Sequence, residues 1–269
     1  MEPPNKIYFV GAGPGNPELM TLKGKRLLES ADVVLFAGSL VNPIVLEFAR
    51  KGSELHDSAK MNLEEISKVL VDSYKAGKKV VRLASGDPSI FGAVEEMGDI
   101  LKKEKIAFEV IPGVSSFTAA AASLQKELTV PNVVQTIILT RAEGRTSMPP
   151  KERLEELAKH ECTLVLFLSA VLARSVQDKL LTAYPPQTPI AIVYKASWPD
   201  EKIFLGELRD LADIMRREKI TMTALILVGN FLTASGQKSK LYDKHFSHAF
   251  RKAAVPFQQS AKKSDVCNL

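Results

Sequence analysis

The stretch IYFVGAGPGNP, residues 7–17, decides the fold: an apolar run of strand length, Ile7–Val10, breaks into a turn that contains Gly11, Gly13 and Gly15. Glycines directly behind a buried strand let the backbone turn tightly and approach a ligand closely. A dinucleotide fingerprint opens straight into a helix, whereas Pro14 and Pro17 keep this turn extended as far as Thr21. No Gly-Lys-Ser/Thr follows, so a Walker loop does not fit either.

Outward from this turn, short Val- and Ile-rich runs alternate with longer amphipathic segments: Thr21–Ser30, Val33–Phe36, 62–76, Val80–Ala84 and Phe108–Ile111. That alternation is a βα rhythm, which predicts a mainly parallel sheet covered on both faces. In the segment after Asn62, residues Leu63, Ile66, Val69, Leu70 and Tyr74 form one apolar stripe. Glu64, Lys68 and Asp72 face water, and Gly77 stands where a helix C-cap belongs. The second half repeats the rhythm with 136–140, 163–168, 190–194 and 224–228 as strands, plus a short antiparallel strand at 202–205. The expectation is two α/β domains with largely parallel sheets. Their bounds are 1–113 and 114–233, followed by a polar, partly flexible tail over 234–269, in which LYDKHFSHAFR (241–251) is the stretch that orders by docking on the body.

Composition narrows the function classes. A net charge of +5, spread along 269 residues, suits an anionic small molecule as well as nucleic acid, so charge alone does not choose; the dispersal of Lys and Arg among acids, without a basic cluster, points away from nucleic acid. Cys162 and Cys267 lie far apart and outside any C-x-x-C or Cys/His pattern, so neither a disulfide framework nor a zinc site is expected. His245 and His248 are not read as metal ligands. The N-terminus has no charged n-region before its apolar run, and no stretch is long enough to span a bilayer, so a cytoplasmic protein without membrane contact is expected.

Two further turns stand at strand ends: SGDPSIFG (85–92) after Val80–Ala84 and PGVSS (112–116) after Phe108–Ile111. In open α/β sheets ligands bind outside the carboxyl ends of strands, so three such turns describe one crevice. In this order and context they resemble the tetrapyrrole (corrin/porphyrin) methyltransferases, over roughly residues 6–232. Within that family, ADVVLFAGSLV (31–41), QTIILTRAEGRT (135–146), LAKHECTLVLFLS (157–169) and VYKASWPDEKI (193–203) are most similar to the C11-methylating members that act on precorrin-4 or cobalt-precorrin-4.

The resemblance implies S-adenosylmethionine bound between two domains, an anionic tetrapyrrole as substrate, a homodimer, and no protein-bound metal. By motif position it implies cofactor contacts at Pro14, Ser85, Gly86, Asp87, Ile90, Ser115, Ser116, Leu168, Ala196, Thr223 and Ala224. Each has a plainer structural role to weigh: Asp87 as a turn cap, Ser115 and Ser116 as helix caps, Leu168 as core. Arg141 and Arg145 are candidates for the substrate's acetate and propionate groups, with solvated-loop residues as the alternative. Uroporphyrinogen-III methyltransferases carry an aspartate where this chain has Ala37 and a lysine near Ala59, which points away from that substrate. Three rivals stay open: a methyltransferase of the same fold acting on another precorrin; one acting on ribosomal RNA or a diphthamide precursor; and a non-catalytic binding protein.

Overall fold

The computed structural model describes residues 6–236 and 238–253. Cys267 and the remainder of the polar tail past Ala253, like residues 1–5, lie outside the described residues. The first half runs β1 (Ile7–Gly11), α1 (Leu22–Glu29), β2 (Val33–Phe36), β3 (Glu54–Asp57), α2 (Leu63–Lys75), β4 (Val80–Ala84), α3 (Val94–Lys103) and β5 (Phe108–Ile111). Two of these three helices start at a side-chain cap, and α3 starts after Ala93 without one. Thr21 accepts from the Gly24 amide, and Asn62 forms a reciprocal capping box with Glu65. Pro17 does not stay extended: Pro17–Leu19 makes one 3-10 turn capped by the Asn16 side chain, so the chain enters α1 through a tight corner.

The strands order as β3-β2-β4-β1-β5, parallel throughout. Because side chains alternate, one face buries Val10, Val34, Val81 and Leu83 and the other buries Ile7, Phe9, Leu35 and Val80. Burial on both faces is what near-continuous Val/Ile/Leu strands require. The β3 strand is an edge of this sheet and mostly exposed.

The second half runs α4 (Ser116–Ser123), β6 (Ile137–Arg141), α5 (Leu154–Ala158), β7 (Thr163–Phe167), α6 (Ala173–Leu180), β8 (Pro189–Tyr194), β9 (Lys202–Glu207), α7 (Leu211–Arg217) and β10 (Ala224–Val228). Its sheet, β6-β7-β10-β8-β9, is mixed rather than largely parallel. Only β6 and β7 pair parallel, while β10 runs against both β7 and β8, and β9 runs against β8. The reason is connection length. Residues 195–201 separate β8 from β9, too few for a crossover, so the chain folds back as a hairpin.

Among the described residues, 239–253 make hydrogen bonds only with one another. Arg251 Nη2 donates to the carbonyls of Leu241 at 2.7 Å and Asp243 at 2.6 Å, closing the LYDKHFSHAFR stretch on itself. No helix among the described residues is long and apolar enough to cross a membrane.

Candidate active site

The three glycine-rich turns meet at one point. A Cβ on Gly11 would lie 2.6 Å from Gly113 Cα and 2.7 Å from the Gly86 carbonyl oxygen, so three backbones share space that any side chain would fill. Backbone hydrogen bonds sew the first turn to the second: Ala12 to Ala84 at 2.7 Å, and Gly86 to Gly13 at 2.8 Å. Asp87 ties the second to the third. Its Oδ2 accepts from the Gly113 amide at 2.9 Å, while Oδ1 accepts from the Ser89 amide at 2.8 Å and the Ser89 hydroxyl at 2.5 Å. Partial burial pushes the Asp87 pKa up, but the hydrogen bonds from Ser89 and Gly113 outweigh it, and the carboxyl sits below its ordinary value. The capping role and a place in the cleft thus coincide in one residue. Ser115 is the residue preceding α4, but its hydroxyl makes no capping hydrogen bond.

Across from these turns stand loops of the second half, and the space between is a cavity of about 410 Å³. Pro14, Ser85, Gly86, Asp87 and Ile90 line it from the first half, with Ser115 and Ser116 at the start of α4. Leu168, Ala196, Thr223 and Ala224 line it from the second half. All eleven cofactor positions singled out from the sequence therefore border one cavity. Leu168, which reads as core by type, is 58% exposed.

The cavity wall is strained. Phe91, Ala93, Leu168, Lys195 and Thr223 line it with φ between 50° and 53°, the left-handed region. Each such residue costs on the order of 1–3 kcal/mol, and strain of this kind collects where a site must present backbone in a set direction. The halves are latched beside it. Trp198 Nε1 donates to the Pro14 carbonyl at 3.0 Å, and the Asn16 amide donates to Ser197 Oγ at 3.0 Å.

Arg141 and Arg145 do not border the cavity. The Arg141 fork is spent on its own loop, donating to the carbonyls of Ala142, Thr146 and Ser147, and Arg145 is exposed on that loop. The arginine that does line the cavity is Arg82, whose only local signal is a charge inside the apolar run VVRLA. Trp198 and Lys195 also line it, from the YKASWPDEK segment. Among the described residues, no group of three or more His, Cys, Asp or Glu gathers to hold a metal ion.

Residues 6–212 match the family of tetrapyrrole (corrin/porphyrin) methylases. The chain belongs to this family. One relative of this methylase, the cobalt-precorrin-4 C(11)-methyltransferase of Methanocaldococcus jannaschii, is 52% identical over 96% of the chain and all of its own length. The enzyme of the same name from Priestia megaterium is 48% identical over 92% of the chain and 98% of its own. The crystal structure of a cobalt precorrin-4 methyltransferase superposes with a TM-score of 0.81 at 47% identity, covering 84% of this chain and 95% of the other. The uroporphyrin-III C-methyl transferase of Thermus thermophilus, complexed with S-adenyl homocysteine, superposes with a TM-score of 0.72 at 30% identity, covering 87% of this methylase and 96% of that chain.

Proposed function

We propose that this methylase transfers the methyl group of S-adenosylmethionine to carbon 11 of cobalt-precorrin-4, a step of cobalamin biosynthesis. The observation that carries the reading is the meeting of the three glycine turns with 168, 196 and 223–224 on one cavity, in a chain similar over nearly its whole length to enzymes of that name. When bound, S-adenosylmethionine supplies a methyl group on a positively charged sulfur, already activated for displacement by carbon.

The residues present fit that donor. The cavity volume falls within the usual range of roughly 300–1,000 Å³ for small-molecule sites. Its polar edge, at Ser85, Gly86, Asp87, Ser115 and Ser116, offers backbone and hydroxyl groups to a ribose and an amino-acid portion. Its apolar wall, at Leu168, Ala196, Thr223 and Ala224, offers a slot to a flat base. The ionised Asp87 favours a cationic centre nearby, and Pro14 lines the same cavity. The chain's own task is alignment and exclusion of water, because an in-line displacement from an activated donor needs no catalytic dyad.

The same reading carries a homodimer, a cytoplasmic location, no nucleic-acid substrate and no resident metal. It keeps Arg145 as a candidate for a tetrapyrrole carboxylate, because its loop leaves β6 at Arg141, which pairs with the cavity residue Phe167. The test is incubation with S-adenosylmethionine carrying a carbon-13 methyl, together with cobalt-precorrin-4 or metal-free precorrin-4, followed by carbon NMR of the product. The expected result is label at carbon 11 with the cobalt form preferred. Label at another carbon, or none in either macrocycle, overturns it.

A further inference from the structure

Arg82 is the central residue of β4, in the middle of the first sheet, in register between Phe9 and Leu35, and is 8% exposed. A guanidinium so placed is ordinarily paired with a carboxylate, because an unpaired buried charge costs several kcal/mol. Here no carboxylate lies within ion-pairing distance among the described residues. Its one hydrogen bond is a long one, from Nη1 to the Leu35 carbonyl at 3.4 Å, and Nε is buried with no partner. Asp87, which shares the cavity, directs its carboxylate to Ser89 and Gly113 and forms no ion pair with Arg82. Burial pulls the Arg82 pKa down from its ordinary value, yet arginine keeps its proton in proteins. The charge therefore persists without a counter-ion among the described residues.

The cavity makes this charge reachable. Ala84, two residues along the same strand, and Ala37, two residues past Leu35, line the cavity with Arg82 and carry only methyl groups. By strand alternation these residues share one face.

We propose that Arg82 is a ligand-binding residue of the cleft, which takes a carboxylate of a bound molecule as its missing counter-ion. A planar fork of N–H donors matches a carboxylate in two parallel bonds, and a sulfonium is repelled from the same position. Resting on the methyl-transfer reading, the inference has two sources for that group: the amino-acid carboxylate of the donor, or an acetate or propionate of the tetrapyrrole.

The experiment compares the wild type with Arg82→Met and Arg82→Lys. Melting temperature is measured first, without ligand. Removing an uncompensated buried charge leaves the free Arg82→Met protein as stable as the wild type or more so, whereas a scaffold role for Arg82 lowers its melting temperature. Calorimetry then measures S-adenosylhomocysteine, which bears the carboxylate, and methylthioadenosine, which lacks it. Steady-state assays give KM for cobalt-precorrin-4. Arg82→Met is expected to weaken one carboxylate ligand at least tenfold, about 1.4 kcal/mol, with Arg82→Lys recovering part of the loss. Loss for S-adenosylhomocysteine but not methylthioadenosine assigns the donor's carboxylate. An unchanged S-adenosylhomocysteine affinity with a KM raised more than kcat is lowered assigns the tetrapyrrole's. If a stable Arg82→Met protein holds both within twofold of the wild type, or if it melts lower and loses both nucleosides equally, the inference is overturned. Failure of the wild type itself to bind S-adenosylhomocysteine sinks the methyl-transfer reading instead.

Discussion

Asp87 carries both a structural and an electrostatic duty, and pH separates them. Its folded pKa lies below the unfolded value because Ser89 and Gly113 donate to the ionised form. The stabilisation is therefore complete above the unfolded pKa of about 4, and is lost as pH falls through the lower folded value. Asn resembles the protonated acid, so Asp87→Asn is expected to be less stable than the wild type by about 1–2 kcal/mol at pH 7. That gap should close progressively below about pH 4 as the wild-type carboxyl takes up its proton. Urea denaturation of both proteins across this range checks it, and a gap that stays constant with pH would remove the charge from the explanation. Arg82 is the complementary case: Asp87 accepts three hydrogen bonds from the chain, and Arg82 has one long hydrogen bond among the described residues.

At the scale of elements, the site depends on turns that touch. A Cβ on Gly113 collides with the Gly86 carbonyl oxygen and approaches Gly11 Cα to 2.8 Å. Gly113→Ala is expected to cost about 1–3 kcal/mol by overpacking and, by pushing the turns apart, to weaken S-adenosylhomocysteine binding at least tenfold in calorimetry. Gly77→Ala is the control: Gly77 has φ +77° at the end of α2 with nothing within 4 Å, so it pays backbone strain alone and leaves that affinity unchanged. Equal affinities for the two variants would refute the junction. The turns were legible in the sequence because glycine, proline and a preceding apolar strand are local signals. The β3 strand was not: Glu54, Leu55, His56 and Asp57 lie mostly exposed at a sheet edge, and no apolar alternation marks them. The mixed second sheet was half legible, since the short link after Tyr194 implies a hairpin, while the direction of β10 depends on which neighbours it meets. The contact between Trp198 and Pro14 joins residues 184 apart, and no local pattern announces it.

For the whole molecule, each sheet buries a core on both of its faces, and the cavity is walled by both halves. A ligand held there binds only when the halves are in register, so its binding energy adds to the stability of the joined chain. S-adenosylhomocysteine at one hundred times its Kd is expected to stabilise by about 2.7 kcal/mol, a rise in melting temperature of roughly 5–10 °C. Trp198 is the single tryptophan and borders the cavity, so its fluorescence reports the same titration. Ser197 tests whether register matters, because its hydroxyl accepts from the Asn16 amide across the halves yet does not line the cavity. Losing that hydrogen bond costs about 1 kcal/mol, and part of it should appear in ligand binding, because the second wall is then less often in place when the ligand arrives. Ser197→Ala is therefore expected to weaken S-adenosylhomocysteine two- to fivefold without touching it. If the free protein loses stability while ligand affinity stays unchanged, the latch holds the halves together without presetting the cavity. The walls then owe their placement to the Trp198–Pro14 hydrogen bond and the strained loops at Leu168, Lys195 and Thr223.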